Sequence, residues 1–79
     1  MLISFQLAHE DRGRLLGVGG ATINWLRNKH NCSEILVRGN NKLTIDNDDN
    51  QIINNIIADI EFILDKRLVQ YHHHHFRQE

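Results

Sequence analysis

Residues 3–8, Ile-Ser-Phe-Gln-Leu-Ala, alternate apolar and polar and place Ile3, Phe5 and Leu7 on one side, which predicts a half-buried strand. His9–Leu16 follows with Glu10 and Asp11 early and Leu15 and Leu16 late, a pattern for a short helix with acidic residues at its positive end. Three glycines in four residues, Gly17-Val18-Gly19-Gly20, cannot continue that helix cheaply and predict a turn. Ile23 and Leu26, with Trp25 and Arg27 alongside, suit a second helix over Ala21–His30 that opens directly from the turn and stops at Asn31. Ile35–Val37 and Leu43–Ile45 read as a hairpin around Arg38-Gly39-Asn40-Asn41-Lys42. Asp46–Asp49 supplies candidate helix caps, with Gln51 three residues after Asp48 in a capping-box spacing. Ile52, Ile53, Ile56, Ile57, Ile60, Ile63, Leu64 and Leu68 then form a stripe at helical spacing, with Phe62 off it. The order is β-α-α-β-β-α, an α+β chain whose last helix must cover a sheet.

Composition narrows the function classes. A chain of 79 residues is one domain at most, and 41% hydrophobic with 24% charged residues is globular composition. So small a core leaves little stability for strained catalytic architecture, which favours a binding module. Cys32 is the sole cysteine and has no partner for a disulfide, as expected for a reducing intracellular compartment, cytoplasmic or nuclear. No stretch approaches the ~20 apolar residues of a membrane span, and MLISFQLAHED lacks the basic flank and cleavage site of a signal peptide. Net charge is −1, without the overall basicity common in nucleic-acid binders, but it is polarised. Residues 1–45 carry six basic and three acidic groups, and residues 46–79 three basic and seven acidic. The glycine turn lies in the positive half, where one basic face can act on a phosphate within a Debye length.

The candidate chemistry centres on that turn. A glycine-rich bend entering a helix N-terminus suits a phosphate, because unpaired backbone N–H groups converge there and no side chain blocks approach. A P-loop needs a Lys-Ser or Lys-Thr pair where this chain has Ala21-Thr22, and a dinucleotide fold needs a second βαβ unit that does not fit in this length. No nucleophile–base pair, acid–base carboxylate pair or cofactor fingerprint is present, so neither an enzyme nor a bound cofactor is expected. His72–His75 read as a solvated tail or a purification remnant rather than a metal site. Cys32 reads as a core thiol.

Gly13, Leu15, Leu16, Gly17, Gly20, Ile23 and Leu26 recur in the order glycine, spacer, two aliphatics, GXXG, then aliphatics three and six residues on. This pattern resembles the signature of KH domains, and the likeness runs over roughly residues 3–68. The resemblance implies a type I KH fold for residues 1–70, a three-stranded antiparallel sheet packed against three helices, with residues 71–79 a His-rich helix extension or tail. It implies binding of single-stranded RNA or single-stranded DNA, about four unpaired nucleotides in a groove beside the GXXG loop. Gly17, Val18, Gly19 and Gly20 would take the sugar-phosphate backbone, with Gly13 part of the same signature. Leu16 and Ile23 would line the groove, Leu36 or Val37 would form its floor, and backbone groups would read base edges. Arg38 would reach a base or phosphate, and Arg12 and Arg14 would meet phosphates.

This chain departs from that pattern in two places. Working loops of the family usually carry Lys or Arg in the middle pair, whereas Val18-Gly19 has no charge, which implies weak, salt-sensitive binding. Ser33-Glu34 adds about one residue before the second strand, implying a bulge or a shifted register. The alternative is a degenerate KH domain acting as a protein-interaction or homodimerisation module, with Val69, His72 and Phe76 extending the last helix into a dimer contact.

Overall fold

Alternating apolar residues on three short strands and one strongly amphipathic helix dictate the architecture. In the computed structural model, which describes residues 1–68, the chain runs β1 (Leu2–Gln6), α1 (His9–Leu16), a single 3₁₀ turn (Val18–Gly20), α2 (Ala21–His30), β2 (Ile35–Val37), β3 (Lys42–Asp46) and α3 (Asn50–Leu64). The strands form one antiparallel sheet in the order β1-β3-β2. This is the α+β topology that the hydrophobic pattern predicts, with three helices and a three-stranded sheet among the described residues.

Register follows from the period of two. Ile3 and Phe5 pair with Ile45 and Leu43, and Ile35 and Val37 pair with the same two residues from the other side. Ile3, Phe5, Ile35, Leu43 and Ile45 are buried under the helices, and Val37 packs against them. The opposite sheet face carries Leu2, Ser4, Gln6, Leu36, Lys42, Thr44 and Asp46. A one-residue slip would expose the whole apolar set, so burial holds the register. No bulge interrupts 35–37: Asp46 N–H donates to the Glu34 carbonyl (3.0 Å), and the extra residue is absorbed in the bend at Ser33 before β2 begins.

Helix α3 buries Ile53, Ile56, Ile60 and Leu64, with Ile52, Ile57 and Ile63 at the edges of the stripe. Each fully buried aliphatic side chain contributes about 2 kcal/mol, which makes this face the main helical contribution to the core. Its cap is Asp49, whose carboxylate accepts from Gln51 N–H at 2.9 Å, and not Asp48 in a box with Gln51. Gln51 instead turns its amide along the helix to Asn55 (3.1 Å). The helix closes at Leu64, because Asp65 takes the left-handed conformation (φ 57°) and its N–H returns to the Glu61 carbonyl. Leu68 is therefore off the helix, although it packs against the core. Residues 69–79, on which the dimer contact and the His-rich extension were placed, lie outside the described residues.

Two ion-pair clusters tie the helices together. Asp11 on α1 is 2% exposed and meets Lys66 Nζ at 2.7 Å and Arg14 Nη1 at 3.8 Å, which fastens the segment after α3 to α1. Asp59 on α3 accepts from Lys29 Nζ (2.8 Å) and lies 2.8 Å from His30 Nε2, joining α3 to the end of α2. Lys29 also sits over the Trp25 ring, 4.9 Å from its centroid. None of the described helices is long and apolar enough to cross a membrane.

The Lys29 ammonium, and after it the His30 ring, hold the Asp59 carboxyl below the usual carboxylate range against the opposing effect of burial. A carboxylate whose folded pKa is depressed stabilises the fold above its unfolded value, and that contribution is lost as pH falls through the folded one. Asp59→Asn is thus expected to lower stability by about 1 kcal/mol near neutral pH. The difference from the parent should shrink as pH drops below about 4, which urea denaturation at a series of pH values will show.

Candidate nucleic-acid interface

The bend between α1 and α2 is built from backbone that only glycine supplies. Gly17 has φ 77° and ψ 172°, and a Cβ there would stand 2.4 Å from Thr22 Oγ1 and 2.7 Å from Thr22 N. Its N–H closes α1 on the Gly13 carbonyl (2.9 Å), and its own carbonyl accepts from Gly20 N–H (3.1 Å). Gly19 and Gly20 are also left-handed, at φ 62° and 80°. The second of these is the N-cap of α2 and brings no side-chain acceptor to the first-turn N–H groups. The result is a bare bend outside the core: Val18 is 96% exposed, and the space where a Gly19 Cβ would sit has no atom within 4 Å.

Helix α1 divides its residues between faces at helical spacing. Asp11 and Leu15 point inward, Arg12 and Leu16 share one flank, and Arg14 lies on the other. Leu16 is half-buried against the core, and Arg12 is half-buried with its Nε shielded from solvent and without a hydrogen-bond acceptor. Arg14 is directed elsewhere than the sequence implied: its Nη1 donates to the Leu64 carbonyl (3.4 Å) and pairs with Asp11. That guanidinium neutralises the C-terminal end of α3 and a buried carboxylate rather than waiting for a phosphate. Gly13 is exposed on the outer side of α1, and an added Cβ there would meet nothing, so its place in the bend is its carbonyl.

Two further expected positions move. Ile23 is 3% exposed and belongs to the core, leaving the apolar flank of the bend to Leu16. Truncating a residue so buried would cost about 2–5 kcal/mol of stability, so substitution there reports on folding rather than binding. Leu36 faces the open side of the sheet beside Thr44, because strand alternation turns Ile35 and Val37 toward the helices. Of the two residues considered for the groove floor, Val37 is the one on the helix side. Arg38 is exposed at the end of β2, and its N–H donates to the Lys42 carbonyl (2.9 Å) at the base of the hairpin turn.

The positions on the helix side thus comprise the bend Gly17–Gly20, the Arg12–Leu16 flank and Val37, while Arg38, exposed just past β2 and opposite Lys42, follows the phase of Leu36. Strand β2 is a sheet edge, and α2 is joined to it by Arg27 Nε, which donates to the Ile35 carbonyl at 3.0 Å. The sequence singled out Arg27 only as a neighbour of the helical stripe. Its contact is invisible to periodicity, because it depends on which carbonyl a strand edge turns outward. Two concavities lie on other faces of the helices, the second adjoining the bend at Ala21 and Thr22. One of about 400 Å³ sits between the β1 edge and α3, lined by Ile3, Phe5, Ile53 and Leu68 among others, and one of about 460 Å³ is lined by Ala21, Thr22, Trp25 and Ile63. Trp25, half-exposed, thus turns toward α3 and away from the β2 edge.

Gly17→Ala is expected to cost at least about 2 kcal/mol, since its backbone region is open to glycine alone and its Cβ would strike Thr22 backbone. Gly19→Ala meets no atom and should cost about 1 kcal/mol, the left-handed penalty only. Thermal or urea unfolding of the two variants should show that order.

Among known proteins no family model matches the chain, and no curated protein matches it either. The interface rests on its geometry.

Proposed function

We propose that this domain binds single-stranded nucleic acid, RNA in the first instance, by laying about four unpaired nucleotides across the glycine bend and the adjoining edge of β2. The observation that carries the reading is the bend itself: a left-handed glycine turn at the head of α2, outside the core and free of side-chain obstruction. Glycines 19 and 20 let the sugar-phosphate chain approach the positive end of α2 closely, the Gly20 and Ala21 N–H groups being bonded to the Gly17 and Val18 carbonyls within the bend. Arg12 supplies the nearby charge, on the same flank as Leu16, and Arg38 supplies charge from β2. Arg14 does not, being engaged with Asp11 and the Leu64 carbonyl. Bases turned inward rest on Leu16 and Val37, with polar edges toward the strand backbone.

Val18 at the tip brings no cation, so affinity depends on Arg12, Arg38 and the positive end of α2 and falls steeply with salt. A short pyrimidine-rich oligonucleotide titrated into isotopically labelled protein should shift the amides of residues 17–23 and 35–38, and Val18→Asp with Gly19→Asp should suppress those shifts. Val18→Lys should tighten binding about threefold or more at low salt. An unmoved spectrum at millimolar RNA and low salt overturns the reading.

A second reading, a protein-contact module, is favoured by one observation. Trp25 and Ile63 line an apolar concavity on the α2–α3 side, and Phe62 on α3 is 86% exposed. Light scattering over a wide concentration range reads self-association directly, whereas single-strand binding leaves the protein alone a monomer.

A further inference from the structure

Hydrogen-bond phase along β2 determines which backbone groups the open edge of the sheet presents. Asp46 N–H bonds to the Glu34 carbonyl (3.0 Å) and Arg38 N–H to the Lys42 carbonyl (2.9 Å), so Glu34, Leu36 and Arg38 turn their backbone groups toward β3. Ile35 and Val37, in the alternate phase, turn theirs outward past the edge. Two carbonyls and two N–H groups therefore face the side on which α2 lies. They are the only sequence-reading backbone that a three-residue edge strand can offer.

One of those carbonyls is filled. Arg27 Nε donates to the Ile35 carbonyl at 3.0 Å, while Nη1 of the same guanidinium donates to Asn24 Oδ1 at 2.9 Å. The two bonds fix the planar group from both sides, and Arg27 is half-buried between α2 and the strand. A charge-assisted bond is roughly twice as strong as a neutral one, so a neutral base amino group does not displace the guanidinium from that carbonyl. Val37 lies one outward position further along, toward Arg38, beyond this bond.

We infer that Arg27 is a positioning residue that sets base specificity: by occupying the Ile35 carbonyl it leaves the Val37 carbonyl as the outward-facing acceptor of β2 open to a base amino group. This rests on the single-strand reading above and deepens it. The base opposite Ile35 is then offered a backbone N–H and apolar contact, but no uncontested acceptor for an amino group. Removing the guanidinium opens a second acceptor, and an acceptor selects a base that carries an exocyclic amino group, cytosine over uracil.

The experiment measures affinities of the full chain for pyrimidine tetranucleotides in which each position in turn is uracil or cytosine. The parent protein should discriminate at one position. Arg27→Met, which keeps an apolar stem and loses the donors, should add a cytosine preference of about fivefold at an adjacent position. Arg27→Lys, which restores a donor, should return the single-position pattern. An Arg27→Met pattern identical to the parent, or a loss equal for every sequence, overturns the inference. Should Arg27→Met fail to fold, the parent decides: in the saturated complex the Arg27 Nε–H resonance should hold its place while the Val37 amide moves, and an Nε–H that moves with Val37 overturns the inference. A parent protein whose Val37 amide responds to no oligonucleotide overturns the single-strand reading itself, and Arg27's role with it.

Discussion

Everything on the helical side of this domain depends on the absence of one carbon atom at Gly17. Helices α1 and α2 share a core through Leu15, Ile23 and Leu26, so the chain must reverse between them without spending residues. At φ 77° the reversal is made, and Thr22 closes so tightly over Gly17 that even a methyl group has no room. The same tightness pushes Val18 and Gly19 outward, past the surface of both helices. A requirement of packing thus produces a bare backbone prominence at a helix N-terminus, which is the feature the proposed function uses.

Charge is spent unevenly, and mostly on the fold. Of the basic residues on α1 and α2, Arg14 stabilises the end of α3, Lys29 is held by Asp59, and Arg27 is fastened to a strand carbonyl. Asp11, buried almost completely, draws Lys66 onto α1 and so fixes where the chain leaves α3. A net charge near zero consequently says little about any one surface, since many of the charges cancel in pairs across helix interfaces. Among the described residues beside the bend, Arg12 remains for an external anion, and Arg38 is exposed just past β2.

Much of this was legible in the chain, and the reasons differ by element. The boundaries of α1 and α2 follow from hard signals: acidic residues at one start, glycines between, and Asn31, which takes the left-handed stop at φ 50°. Sheet register follows from alternation, which burial enforces. The cap of α3 stays open in the sequence among Asp46–Asp49, because Asp48 and Asp49 are chemically equal there and the turn made by Asn47 Oδ1 and Asp49 N–H selects Asp49. Leu68 fitted the helical stripe and yet lies beyond the helix, since a stripe records burial and not continuity. Among site residues the sequence identified the bend, but it could not tell a core isoleucine from a groove isoleucine at Ile23, nor foresee the bonds that engage Arg14 and Arg27. Those outcomes depend on contacts between residues far apart in the chain.

The hairpin between β2 and β3 adds one more consequence. Its turn is closed by Asn41 N–H on the Arg38 carbonyl, and it is bound to β1 as well, through Leu7 N–H and the Gln6 amide on the Asn40 and Asn41 carbonyls. The β2 end near the bend is therefore tied to the far edge of the sheet, and the glycine bend on the helical side is held at Gly17 by Thr22. In the proposed binding mode the span between them is thus set by two stiff elements, the paired hairpin and a bend that Thr22 clamps at Gly17, so that bases of one size would suit it best.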